Sequence, residues 1–157
     1  MGEKLGTPFR DVYMRFLSNI DEFDIAEMTD VEIDYYCFDY LMSALVISKP
    51  IEKTFEYNIQ KKCFLDNLLN VEIEILALNM IAKWYENQAN SSKLTRQFIG
   101  TKDEKFFSQK NHADGLFERV RYYKGEARRV RNAYLVNNHF DDIISKTATS
   151  ERYRRQK

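Results

Sequence analysis

The chain is short of the residues that make turns and of the motifs that make chemistry. Its 157 residues include only five glycines and two prolines. A strand-rich barrel or sandwich needs turns at close intervals, so this scarcity argues against those classes and favours helices. The two cysteines, Cys37 and Cys63, have neither metal-ligand spacing nor a C-x-x-C pattern. They read as buried thiols in a reducing compartment. The longest apolar run, residues 41–47, is interrupted by Ser43 and is far too short to span a bilayer, and no basic-plus-apolar leader stands at the N-terminus. These absences predict a soluble protein made in the cytoplasm, without membrane contact.

Net charge is missing too. Lys and Arg together number 24 and Asp and Glu together number 24, which argues against a generic polybasic binder of nucleic acid or membrane. The charges are unevenly placed, however. Residues 1–50 hold 10 acids and 4 bases, residues 51–92 hold 6 and 4, and residues 93–157 hold 8 and 16. The chain is thus an electrostatic dipole along its sequence. Such a chain can attract copies of itself head to tail, and a contact of that kind closes into a ring when the rotation per copy allows it.

Catalytic signatures are absent as well. His112 and His139 are the only histidines, and neither has a second histidine at helical spacing to build a metal site. Asp30, Glu32 and Asp34 alternate at a helix start, outside any D-x-D-x-D-G calcium-loop pattern. No G-x-x-x-x-G-K-[ST], G-x-G-x-x-G or G-x-S-x-G is present. The expectation is a protein that is not an enzyme and needs neither cofactor nor metal.

What is present is helical periodicity. The 157 residues fit one domain. Thr7-Pro8 offers an N-cap followed by proline at the first helical position, and Phe9, Val12, Tyr13, Phe16, Leu17 and Ile20 follow at helical spacing, giving a first helix over 8–20. An acidic connector, Asp21-Glu22-Phe23-Asp24, leads to a second helix capped by Thr29 or Asp30 with Glu32 in its first turn. There Val31, Tyr35, Phe38, Met42 and Leu45 form one row, with Cys37, Tyr40, Leu41 and Ala44 beside it. That helix ends before Pro50. Residues 51–66 lose the pattern and read as extended segments or a surface connection pinned by its aromatics.

A third helix, capped by Asp66 or Asn67, runs to about residue 90 or on to 98. Its stripe is Leu69, Ile73, Leu76, Met80 and Trp84, flanked by Ile75, Leu78, Ala82 and Tyr85, while Glu72, Glu74, Lys83 and Glu86 are expected to face outward. As the most hydrophobic helix it should sit at the centre of the domain. Gly100 to Asp103 then make the turn into the longest helix, read over 108–138 between a Ser108 N-cap and an Asn137-Asn138 stop.

The rest of the chain is organised around this last helix. Ala113, Leu116, Val120, Tyr123, Ala127, Val130 and Tyr134 recur at alternating steps of three and four and form one packing stripe. Its length, about 43 Å at 1.5 Å per residue, requires it to span the domain or project from it. Arg119, Arg121, Lys124, Arg128, Arg129 and Arg131 read as a basic side that needs solvent or a partner. Tyr122 among those arginines leaves base stacking open as a minor possibility. Residues 145–157 read as a basic, mobile tail after a helical domain over 1–144.

The string Glu74-Ile75-Leu76-Ala77, Met80, Trp84, Gln88, Ser92, Thr95-Arg96-Gln97, Asp103, Lys105-Phe106, Ser108-Gln109, Asn111-His112 and Leu116, with Thr7-Pro8-Phe9, Tyr13, Arg15-Phe16-Leu17 and Ile20 earlier, resembles a family of small virion proteins of tailed bacteriophages. Those proteins lie in the head-to-tail connection region. The resemblance covers roughly three quarters of the chain, is most specific over 95–112, and ends before the tail that follows Asn138. It implies a neck adaptor, a ring homo-oligomer of about twelve copies located in the virion between the portal protein and a tail or tail-completion protein. It carries no catalytic residues. In that setting Arg96, Asp103 and Lys105 would fix the turn between the last two helices or bridge to a neighbour, and Ser108 and His112 would hold the start of the long helix. The basic residues from Arg119 to Arg131 would meet an acidic surface such as Asp21, Glu22 and Asp24 or Asp30, Glu32 and Asp34, or line the DNA channel.

The expectation is therefore an all-α, bundle-like domain of four main helices with a long C-terminal helix and a basic tail, acting as a head-to-tail connector. The alternative is a small nucleic-acid-binding packaging or regulatory protein.

Overall fold

The computed structural model describes residues 6–20, 25, 27–48, 55–99 and 104–154, with backbone alone over 92–99, 104–110 and 141–154. The described chain is an all-α, bundle-like fold. Its elements are α1 (Phe9–Leu17), α2 (Asp30–Ser48), the two-residue strands β1 (Tyr57–Asn58) and β2 (Cys63–Phe64), α3 (Asn70–Ile99) and α4 (Glu104–Arg154).

α1 begins one residue later than expected. Pro8 is its N-cap, with extended backbone and no side-chain cap bond, because the chain before it is used differently. Thr7 and Phe9 are stitched to the hairpin: Phe64 N–H donates to the Thr7 carbonyl at 2.8 Å, Phe9 N–H to the Lys62 carbonyl at 2.9 Å, and Thr7 N–H to the Asp66 carbonyl at 3.0 Å. The hydroxyl of Thr7 accepts from Leu68 N–H at 2.7 Å, just ahead of α3, and so is not available to α1. A Cβ at Gly6 would stand 2.2 Å from the Phe64 carbonyl oxygen, so only glycine fits. The loop joining β1 to β2 closes through Lys62, the one described non-glycine residue with positive φ.

This stitching makes residues read as extended segments or a surface connection into part of the core. Phe64 is fully buried and meets Phe9 edge-on, with centroids 5.1 Å apart, while Phe55, Tyr57 and Phe38 complete the aromatic cluster. Thr29 caps α2 as the sequence proposes. Its N–H and hydroxyl donate to the Glu32 carboxylate at 2.8 and 2.7 Å. Those two bonds hold the Glu32 carboxyl below its ordinary pKa.

α3 packs on all three other helices, as its hydrophobicity implies. Ile73, Ile75, Leu76, Leu78, Met80, Ile81, Ala82, Trp84 and Tyr85 are all buried. Its N-cap is Leu69 rather than Asp66 or Asn67, and Glu72 is 1% exposed rather than outward-facing. The Glu72 carboxylate accepts from Leu69 N–H at 2.8 Å and from the Tyr134 hydroxyl at 2.9 Å. A buried carboxylate is tolerated only when its oxygens are satisfied in this way.

α4 lies antiparallel to α3. Glu72 meets Tyr134, while further along α3 Tyr85 stacks on Tyr123 and Glu86 meets Lys124, so α4 runs back down as α3 runs up. The packing stripe is as read from the sequence: Ala113, Val120 and Ala127 are buried, and Leu116, Tyr123 and Val130 pack against the core. The bounds are corrected at both ends. α4 starts at Glu104, which places Ser108 and His112 inside the helix rather than at its start, and it continues through Arg154 across Asn137-Asn138 and the stretch read as a tail. No glycine or proline follows Gly125, and asparagine is only mildly unfavourable inside a helix. By the α3 register, Asn70 falls opposite residue 138 or so, and the backbone beyond it extends α4 by about 24 Å past the start of α3.

Candidate functional site

The six basic residues of α4 do not share a face. At 100° per residue they fan around the helix, and the structure sends them to four places. Arg119 turns to α3, where its guanidinium donates to the Tyr85 hydroxyl at 3.0 Å and lies 5.5 Å from that ring centroid. Arg129 turns away and forms a forked pair with Glu126 at 2.8 to 3.2 Å. Lys124, Arg128 and Arg131 turn toward α2 and α3. Arg121 is exposed, with no partner among the described residues.

Those three cations line a cleft of about 270 Å³, together with Ile47 and Ser48 at the end of α2 and Asn79, Ala82, Lys83 and Glu86 of α3. Its floor is polar. Asn79 Nδ2 donates to Ser48 Oγ at 3.0 Å, and both residues are buried. On its wall Glu86 accepts from Lys83 at 3.1 Å and Lys124 at 3.2 Å. Burial by itself would raise the Glu86 carboxyl, but these two lysines outweigh it and hold it below its ordinary value. Arg131 Nε is buried in the cleft wall with no hydrogen-bond partner among the described residues. The sequence reading missed Lys83, Glu86, Asn79 and Ser48 as a site. The one signal was Asn79, a lone amide inside the apolar run 75–82.

The acidic candidates also disperse. Glu32 is consumed as the α2 cap, and Asp34 pairs with Lys62 of the hairpin loop. Asp30 stays exposed in the first turn of α2. Asp21, Glu22, Asp24 and Asp103 lie outside the described residues, and Arg96 and Lys105 are helical positions whose side chains are not described.

The row assigned to the α2 core divides. Phe38 and Met42 are half-buried and Leu45 is buried, but Val31 and Tyr35 face solvent at 62% and 73% exposure, joined by Val46 at 64%. The buried side of α2 is instead Cys37, Leu41, Ala44, Leu45 and Ser48. A second exposed set, Tyr122, Val136 and Phe140, lies on the side of α4 turned away from α3.

No group of three or more metal-ligating side chains occurs among the described residues. His112 and His139 are exposed. The Cys37 thiol is pushed up to about 12, by burial and then by nearby Asp34, so it is inert at neutral pH. Among the described residues no helix is long and apolar enough to cross a membrane. Searched against protein-family models, curated proteins and solved structures, the chain matches none of them.

Proposed function

We propose that the chain is a non-enzymatic assembly protein, a head-to-tail connector of a tailed bacteriophage that joins copies of itself into a ring between portal and tail. The observation that carries this reading is that Val31, Tyr35 and Val46, large apolar side chains at the two ends of α2, are left in solvent. Exposed apolar side chains of this kind on an otherwise packed domain form a contact surface. The outer side of α4 is its complement, with Tyr122, Val136 and Phe140 set among Arg121 and Arg129, while Asp30, Glu32 and Asp39 border the α2 row.

Two different surfaces meeting in this way make a heterologous contact, which propagates from copy to copy and closes as a ring when the rotation per copy allows it. The resemblance over 69–126 supplies the setting, with the portal and a tail protein as neighbours and the conduit DNA as a nonspecific contact. The other reading, a nucleic-acid-binding packaging or regulatory protein, rests on Arg121 and Arg128, which are exposed and have no partner among the described residues.

Quantitative mass spectrometry of purified, DNA-filled virions, with the portal protein as internal standard, tests the proposal. A copy number near that of the portal is expected. Absence from the virion overturns it, and steep salt-dependent DNA affinity of the isolated chain would then support the other reading.

A further inference from the structure

We infer that the cleft between α2, α3 and α4 is a binding site for a small phosphate-bearing anion of one or two phosphate groups. The inference goes beyond the assembly role and does not depend on it. Lys83, Lys124, Arg128 and Arg131 face this space, and Glu86 is the only carboxylate among its described lining residues. Glu86 is already held by both lysines. The negative pole of α2 also points here, since that helix ends at Ser48, but a helix terminus amounts to about half a charge. The four cations less Glu86 leave the lining at a net charge of three positive, which outweighs it.

A plain excess of surface cations would be ordinary solvated charge. Three features separate this cleft from that case. Arg131 Nε is buried without a partner, a donor that costs free energy until an acceptor arrives. Ser48 Oγ accepts from Asn79, and a hydroxyl that accepts one hydrogen bond still has a proton of its own to donate. Arg128 and Arg131 stand three residues apart on one side of α4 and present planar forks of the kind that bind phosphate oxygens in pairs. The volume of about 270 Å³ lies below that of drug-sized pockets and suits a compact anion. The number of donors favours an ion with several oxygens and more than one charge over a single carboxylate.

The test is a titration of the full chain with sodium pyrophosphate, followed by calorimetry and by amide NMR shifts, against sodium chloride at equal ionic strength. Saturable one-to-one binding is expected, with shifts at Ser48, Asn79, Lys83 and Arg131. The double variant Arg128→Gln with Arg131→Gln should weaken it at least about tenfold. Arg129→Gln, on the far side of α4, should leave it unchanged. Circular dichroism checks that both variants keep their helices, and Arg128→Gln alone serves if the double variant unfolds.

Binding no stronger than chloride overturns the inference, as does equal loss from Arg129→Gln. A short DNA duplex titrated in parallel separates the two sources of phosphate. Duplex binding that depends on Arg128 and Arg131 while pyrophosphate fails to bind also overturns it, because a cleft that recognises the phosphate group must accept the isolated ion.

Discussion

α3 and α2 are both rich in apolar side chains, yet among the described side chains only α3 hides nearly all of its own. From Ile73 to Ala89 its large apolar residues are buried because α1, α2 and α4 each cover one side of it. α2 is covered along one side, by α3 with a smaller contribution from α1. Cys37, Leu41 and Ala44 are fully buried there, while Val31, Tyr35 and Val46 stand in water. Burial is decided by how many neighbours a helix has, and composition does not reveal that number. The residues left over on α2 add nothing to the folded monomer, which is why they carry the assembly proposal.

The sharpest way to break this comparison is to truncate α2 on each side. Leu41→Ala should cost about 2–5 kcal/mol in chemical denaturation. Tyr35→Ala should stay within about 0.5 kcal/mol. Equal losses would mean that the outer row is covered within the monomer and has no surplus to offer.

Next in size is the seam between the N-terminal segment and the hairpin. Gly6→Ala forces a Cβ onto the Phe64 carbonyl and should cost about 1–3 kcal/mol, read as a fall in melting temperature. Gly125→Ala meets nothing within 4 Å. It should instead stabilise by about 0.5–1 kcal/mol, since alanine suits an exposed helix better. A loss at Gly125 would show that the outer side of α4 is already occupied.

Thr29→Ala removes the α2 cap and should cost about 1 kcal/mol. The cap also sets a pH dependence. Glu32 and Glu86 are both held below the ordinary carboxyl value of 4.5, so their contribution is present above that pH and is lost as pH falls through their lowered values. Glu32→Gln should flatten the acid limb of the stability curve below about pH 4.5, and an unchanged limb would contradict the cap geometry. The smallest effect belongs to Tyr13→Phe. The Tyr13 hydroxyl is buried without a partner among the described residues, so deleting it should leave stability unchanged or slightly higher in the same denaturation assay.

The legible parts of the sequence were those with one-sided periodicity. The α3 stripe and the Ala113-to-Tyr134 stripe were readable because polar residues marked their outer sides. On α2, apolar residues occur at nearly every angle, so spacing named Val31 and Tyr35 as core when a neighbour was lacking. The hairpin escaped because its order comes from residues 7–9 and 62–66, pairings between distant parts of the chain that leave no local pattern. Glu72 escaped because leucine occupies the α3 N-cap, and the Ser, Thr, Asp or Asn that marks a capping box is absent. The basic cleft required α2, α3 and α4 to be placed together, and only Asn79 hinted at it.

The claim that the outer row of α2 meets the outer side of α4 on another copy is tested most directly by photo-crosslinking. A benzophenone amino acid would replace Tyr35, purified particles would be irradiated, and the adduct mapped by mass spectrometry. The account predicts an adduct between two copies of the chain, landing on α4 within residues 121–140. An adduct to α2 of another copy, or to a different protein alone, would contradict it.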